Sequence, residues 1–316
     1  MINLPIHITQ SQEWGEFKTK MGTPAIQTGN LQFTKHKIPG TPFFVGYAPR
    51  VNFEKQSFSW TELEDIAREE NCIVVRFDVP NVIKPTSDTN GANKIIEKLS
   101  SKCIKSPKDT FAKYNVLLDI SAPEENIIAN FNQKTRYNVR LAGRKGVTVN
   151  LERNTKGLDI FYKIHAETAK RQNYIPHPKE YFQKMFDTLS PKEIMHILVA
   201  YYEGKPIVSW ILFTLGGAMY YPFGGSDHRY HKLMASNLVA WEAIKLGKKL
   251  NCNIFDMWGA TNDKNHPYWG FTKFKLGYGG ELVEYIDSYD FVINKPVYKI
   301  FNLAYSTFWK LQNLRR

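Results

Sequence analysis

Between Ile194 and Phe223 the chain reads Ile194-Met-His-Ile-Leu-Val-Ala-Tyr-Tyr202, Glu203-Gly-Lys-Pro206, Ile207-Val-Ser-Trp-Ile-Leu-Phe-Thr214, Leu215-Gly-Gly217, then Met219-Tyr-Tyr-Pro-Phe223. β-Branched and aromatic residues fill the long runs and Gly or Pro punctuates the gaps, so the stretch predicts three antiparallel strands joined by tight turns. A polar segment, Gly224 to Lys232, follows. Ser236 to Leu250 then sets Val239, Trp241, Ile244 and Leu246 among helix formers, with Lys248, Lys249 and Asn251 at its end, and Cys252 to Trp258 returns as a strand. Ile207 to Ser226 is uncharged and long enough to span a membrane, but its β-formers and central Gly216-Gly217 predict a hairpin instead.

Three antiparallel strands, a loop, a helix and a returning strand form the central unit of the GNAT acyltransferase fold, which favours an α+β class over a doubly wound sheet. The same alternation occurs earlier. Leu31 to Lys37 and Pro42 to Tyr47 read as strands, Thr61 to Asn71 as a helix and Ile73 to Val79 as the next strand. Two GNAT-like domains are therefore expected, 1–145 and 146–294. Within 1–145, Ser121 to Lys145 predicts one long helix: Ser121-Ala-Pro-Glu124 has capping-box spacing and Gly146 stops it. Ile127, Ile128, Phe131, Thr135 and Val139 share one face, while Arg136, Arg140 and Arg144 recur at steps of four on another. That stripe is either a solvated face or a phosphate contact.

With 316 residues, of which 43% are hydrophobic, the chain can bury sizeable cores, which excludes disordered and low-complexity classes. Lys and Arg outnumber Asp and Glu by 42 to 30, and the resulting charge of +12 favours phosphate-bearing partners or an anionic membrane face. Cys72, Cys103 and Cys252 are too scattered for a disulfide framework or a zinc site. Met1 to Thr9 has no charged segment ahead of an apolar run, so no signal peptide is expected and a reducing cytoplasm fits.

A CoA-dependent GNAT enzyme cradles pyrophosphate on a glycine-lined turn, because only glycine lets backbone amides approach so closely. Here that segment is His228-Arg-Tyr-His-Lys-Leu-Met-Ala235, which lacks both glycines and argues for another acyl donor. His228 and His231 have no third ligand at useful spacing, so no metal site is expected. No Gly-x-Ser-x-Gly, Cys/His or Walker pattern supports a covalent enzyme intermediate.

Phe255-Asp-Met-Trp-Gly-Ala260 is followed by His266-Pro-Tyr-Trp-Gly-Phe-Thr-Lys-Phe-Lys-Leu-Gly-Tyr-Gly-Gly280. The pair resembles the Fem peptidoglycan-bridge aminoacyltransferases, in which a D-x-W-G-A strand precedes a G-x-x-x-F-K-x-G-[FY]-G-G loop. The resemblance covers nearly the whole chain: Gln12-Glu-Trp-Gly-Glu-Phe-Lys18, Tyr47-Ala-Pro-Arg50, Arg76-Phe-Asp78, Gln133-Lys-Thr-Arg-Tyr-Asn138 with Gly146-Val147, and Arg171 followed by His177-Pro-Lys-Glu-Tyr-Phe182 stand in family order. It implies transfer of an amino acid from aminoacyl-tRNA to the side-chain amine of the third stem-peptide residue of a murein precursor, either UDP-linked or lipid-linked. Neither metal nor CoA is needed. Some members carry a long helical arm, and no heptad segment of that kind occurs here. The resemblance alone implies that 295–316 returns to the first domain as a helix.

The resemblance also assigns residues. Lys275 matches the family's functional lysine and Phe274 its aromatic neighbour; an ammonium fixed beside the tetrahedral oxyanion of ester aminolysis would stabilise it. Lys18 and Arg171 match the basic pair for the precursor's phosphates, and Asp78 an acid lining the acceptor site that could deprotonate the incoming amine. Phe223 and Ile73 stand where the family has tyrosines, leaving Tyr221 to supply a hydroxyl. Arg136, Arg140 and Arg144 become candidates for tRNA phosphates. Asn294 to Arg316 is aromatic and basic; either it packs on the first domain, or its end, with Lys310, Arg315 and Arg316, rests on anionic headgroups at the inner membrane face. Two other readings stay open: a GNAT-like N-acyltransferase with a non-tRNA donor, and a non-catalytic module binding nucleic acid or anionic membrane.

Overall fold

A computed structural model describes residues 4–85 and 90–314 of the protein, 305–314 by backbone alone. The described residues fall into two compact units. Of these residues, one unit draws on 4–8, 82–85 and 112–285, the other on 9–81, 90–111 and 286–314. No helix among the described residues is long and apolar enough to cross a membrane.

In the larger unit the expected meander is present as strands Met195–Tyr202, Lys205–Leu215 and Ala218–Ser226, paired antiparallel in succession. Helix Ala235–Lys249 follows, and strand Ile254–Ala260 returns parallel to Ala218–Ser226. Tyr114–Asp119 and Thr148–Glu152 extend the sheet on its two sides. Side chains alternate across a strand, so Val208, Trp210 and Leu212 face a core shared with Phe131, Val139, Ala142, Val239, Ala243 and Ile244. Ile211 and Phe213, equally buried, point the other way, and helix Thr155–Gln172 packs on these strands.

Two expectations change here. The stretch Ser121 to Lys145 is two helices, Glu124–Asn130 and Gln133–Arg144. Asn132 breaks it: its side chain accepts from Thr135 N at 2.7 Å and caps the second helix, while Arg136 Nη1 donates to the carbonyls of Ala129 (2.7 Å) and Phe131, closing the first. Ser121 caps neither, because its N–H and hydroxyl both go to Asp119 Oδ1, at 2.8 and 2.6 Å. The compact units also do not follow a cut at 145/146, since Phe131, Val139 and Ala142 bury themselves against helix Ala235–Lys249 and the strands beside it.

The smaller unit repeats the pattern. Strands Ala25–Thr28, Leu31–Lys37 and Phe44–Ala48 form a meander, helix Trp60–Glu69 follows, and Cys72–Lys84 returns parallel to Phe44–Ala48. Ser59 caps the helix by accepting from Glu62 N, and Leu63 and Ala67 are its buried face. Helix Lys295–Leu314 returns to this unit: Tyr298 is buried with Ile73 and Val74, and Val297 and Phe301 pack beside them. Arg76 makes a bidentate pair with the fully buried Asp290 at 2.7 and 2.8 Å, and Tyr298 Oη donates to the same carboxylate at 2.6 Å. Ile73 is therefore a core residue. The proposed headgroup contacts of Arg315 and Arg316, and the side chain of Lys310, lie outside the described residues.

Candidate active site

In the larger unit the parallel pairing of Ala218–Ser226 with Ile254–Ala260 ends at Tyr220 and Asp256. Beyond that point both strands lose register with their other neighbours, one between Tyr220 and Phe223, the other between Asp256 and Gly259. Pro222 has no N–H to give a ladder, so a bulge there is expected. The strands part, and a cavity of about 740 Å³ occupies the opening. Tyr221, Phe223, Trp258, Phe274 and Lys275 are among its lining residues.

Lys275 sits in the short helix Trp269–Leu276 and is only 7% exposed. Its Nζ donates to Gly259 O at 2.6 Å and Trp258 O at 3.3 Å, which leaves a third N–H for a ligand. Burial pulls its pKa down to about 8, against the opposing charge of Asp256. The end of this helix is tied to the start of helix Gln133–Arg144: Asn132 N donates to Gly277 O at 2.9 Å, and a Cβ on Gly277 would come within 2.4 Å of Thr135 Oγ1. Phe274 meets Tyr278 edge-on with ring centroids 5.3 Å apart, fixing the Phe-Lys pair.

The opposite wall comes from helix Thr155–Gln172. It lies very close to the strand, since a Cβ on Gly225 would fall 2.9 Å from the backbone of His165. His165 Nδ1 lies 3.1 Å from Gly224 O, so that nitrogen carries the proton and Nε2 is the ring's acceptor; burial lowers its pKa, keeping it neutral. Arg171, near the helix end, donates to Ser226 O at 2.9 Å, and Ser226 lines the cavity. Tyr221 stacks on Trp210 at 3.7 Å, with burial holding its phenol neutral. Phe223 presents its edge to Phe182 at 5.2 Å and brings an aromatic face where the family motif has a hydroxyl. Lys275, Phe274 and Tyr221 thus share one cavity that Arg171 borders, and His165 joins them without any sequence signal beyond a histidine on an otherwise buried helix face.

Lys18 and Asp78 belong to the smaller unit. Asp78 accepts from the hydroxyls of Tyr47 and Ser288, and burial raises its pKa despite those bonds and the charge of Arg50. Lys18, on helix Gln12–Lys20, has its pKa lowered by burial. His36 interacts with Lys18 and meets Tyr47: burial and then the charge of Lys18 press its pKa to about 4, Thr34 Oγ1 bonds its Nε2 at 2.9 Å, and its ring is 6.1 Å from that of Tyr47. Sequence reading missed His36, Tyr47 and Ser288 as site candidates. Tyr47 stood in a quoted motif, but nothing marked it as Asp78's partner.

Of the basic stripe, Arg140 and Arg144 are exposed, whereas Arg136 spends its guanidinium on the carbonyls of Ala129 and Phe131. Where a CoA cradle would lie, His228–Leu233 is a 3₁₀ turn; Asp227 caps it by accepting from Arg229 N at 3.0 Å. His228 and His231 stack on each other, and no group of three or more His, Cys, Asp or Glu suited to a metal ion occurs among the described residues.

A meander, helix and returning parallel strand with a cavity where the parallel strands part define a GNAT-type acyl-transferring enzyme, and residues 129–268 match the acetyltransferase (GNAT) domain model. The chain is 20% identical to the lipid II:glycine glycyltransferase of Staphylococcus epidermidis, over 91% of this chain and 86% of that one. It is 21% identical to the corresponding enzyme of Staphylococcus saprophyticus, over 93% and 90%. The crystal structure of FemX superposes with a TM-score of 0.81 at 17% identity, covering 93% of this chain and 94% of that one. The D-x-W-G-A strand and the Phe-Lys motif are both in place, so the chain is similar to the Fem bridge aminoacyltransferases in motif order as well as in fold. The S. epidermidis alignment runs over 364 positions against 316 residues here, so that relative carries segments this chain lacks.

Proposed function

We propose that the protein moves an amino acid from aminoacyl-tRNA to the side-chain amine of the third stem-peptide residue of a peptidoglycan precursor, building an interpeptide bridge. The observation that carries this reading is the buried Lys275 ammonium, seated on two carbonyls at the cavity between the parting strands, in a chain without a glycine-lined CoA turn. The acceptor amine attacks the ester carbonyl, the oxyanion forms beside Lys275, and collapse expels the ribose hydroxyl, which takes up the proton the amine loses. No covalent enzyme intermediate arises. Positioning and oxyanion stabilisation supply the acceleration.

Asp78 is our candidate to orient or deprotonate the acceptor amine, and Lys18 and Arg171 are each candidates for precursor phosphates. Phe274 and Tyr221 shape the donor cavity. Arg140 and Arg144, with Arg136 in a supporting place, are candidates for tRNA phosphates. The names of the staphylococcal relatives make glycine and a lipid-linked precursor the first substrates to test. A lipid-linked acceptor places the enzyme in the cytoplasm at the inner membrane face, and the exposure of Ile300 and Leu303 on the returning helix supports peripheral contact there. The test is incubation with mixed charged tRNAs and both precursor forms, followed by mass analysis of the stem peptide. Gain of one amino-acid residue is expected; acyl transfer from a CoA thioester at comparable efficiency would favour the second reading, an N-acyltransferase with a non-tRNA donor, to which the GNAT match also points.

A further inference from the structure

The two carbonyls that seat Lys275 do not point as those of a regular strand would. Strand Ile254–Ala260 pairs Asp256 with Leu117 and then Gly259 with Asn115, so three steps on one strand oppose two on the other, and one residue is extra. The bulge carries Trp258 at φ +66°, a left-handed conformation that costs a non-glycine residue about 1–2 kcal/mol. Asp256 compensates by accepting from Trp258 N at 2.7 Å, the bond of an Asx turn. Asn115 Nδ2 holds both oxygens of that carboxylate, at 2.8 and 3.1 Å, from the neighbouring strand. Both side chains are buried, at 3% and 1% exposure.

We propose that Asp256, steadied by Asn115, is a positioning residue for Lys275: it fixes the Trp258 turn so that the carbonyls of Trp258 and Gly259 converge on Nζ. An aspartate fits because its short side chain can reach an N–H two residues ahead, which glutamate overshoots by one methylene. The carboxylate does a second thing. Burial acts to discharge the amine, and the Asp256 charge opposes it, so the same group that aims the ammonium also keeps it charged. The catalytic consequence rests on the oxyanion role proposed for Lys275, while the coupling between the two residues does not.

The test separates those two parts. In protein labelled with ¹³C at lysine Cε, the Lys275 signal is identified by its loss in Lys275→Arg and titrated. Asp256→Asn is expected to lower the Lys275 midpoint and to reduce kcat by about 10²-fold, the scale of a small misplacement of a catalytic group, with KM changing less. Asp256→Glu keeps the charge but shifts the acceptor; its midpoint is expected near the wild-type value while kcat still falls, and it carries the test if Asp256→Asn does not fold. An unmoved midpoint in folded Asp256→Asn, or wild-type kcat in Asp256→Glu, overturns the proposal. A Lys275 that titrates as expected in a protein transferring no amino acid overturns the functional reading and leaves the coupling standing.

Discussion

Lys275 in one compact unit is held by the main-chain carbonyls of Trp258 and Gly259, whereas Asp78 in the other is held by the side-chain hydroxyls of Tyr47 and Ser288. Burial pushes each toward its neutral form, the amine down and the carboxyl up. The means of resisting that push differ. Carbonyl dipoles favour an ammonium whatever side chains bear them, so Lys275 depends on a backbone shape. Asp78, on strand Cys72–Lys84, depends on two side chains, one from strand Phe44–Ala48 and one from Glu281–Val292, each of which must be the right residue. A charge held by shape is vulnerable to a change of conformation; one held by side chains is vulnerable to substitution.

The largest expected effect is at Lys275. Lys275→Ala should lower the single-turnover rate by about 10²–10³-fold, the scale for deleting one oxyanion donor, with the fold intact by circular dichroism. The folded pKa lies near 8, below the ordinary 10.5, so the charged form is lost as pH rises through 8 and the wild-type rate should fall above it. Lys275→Arg, charged throughout, should lack that limb. A near-wild-type rate in Lys275→Ala would remove the residue from the chemistry and end the comparison.

Asp78→Asn comes next, with a loss of about 10²-fold in kcat, the lower range for removing a general base. Its raised pKa means the folded state keeps a proton that the unfolded chain releases. The stability linked to that proton is full below the unfolded value and is lost as pH rises through the folded one. Asparagine does not titrate, so thermal melts across acid to neutral pH should show a flatter profile than wild type. If the two profiles coincide, Asp78 is not the strained carboxyl described here.

Changing Arg140 and Arg144 together to Gln tests the larger unit away from its cavity. If both neutralise tRNA phosphates, the slope of log affinity against log salt should fall by about two, near one per contact. An unchanged slope would return them to solvent. The smallest effect expected is for Asn132→Ala, which removes a helix cap worth about 1 kcal/mol. Because Asn132 holds the Lys275 loop through its N–H to Gly277 O, which alanine retains, the Lys275 midpoint should stay near 8. A large shift would show that side chains, not backbone, hold this region too.

Several features were legible because they are local. Alternation from Ile194 to Phe223, the turns at Gly204 and Gly216-Gly217, and helical spacing after Ser236 each depend on residues a few positions apart. The long helix read across Ser121 to Lys145 failed for a related reason: Phe131 and Thr135 keep the apolar period through the break, and the period does not register that Asn132 and Arg136 have taken over the backbone bonds there. At the candidate site, motif order pointed to Lys275, Lys18, Arg171 and Asp78. It did not reveal His36, His165 or Asp256 as their neighbours.

The sequence by itself determined the succession of strands and helix from Ile194 to Trp258 and the Phe274-Lys275 motif, because spacing, turn chemistry and motif are properties of consecutive residues. Only the tertiary structure decided that Lys275 would be buried, that Trp258 would turn left-handed against Asp256, and that Tyr47 and Ser288 would meet on Asp78. Asn115 and Asp256 are 141 positions apart, and Asp78 and Ser288 are 210. Strand register brings such pairs together, and register follows from packing a whole core, which no local stretch of residues encodes.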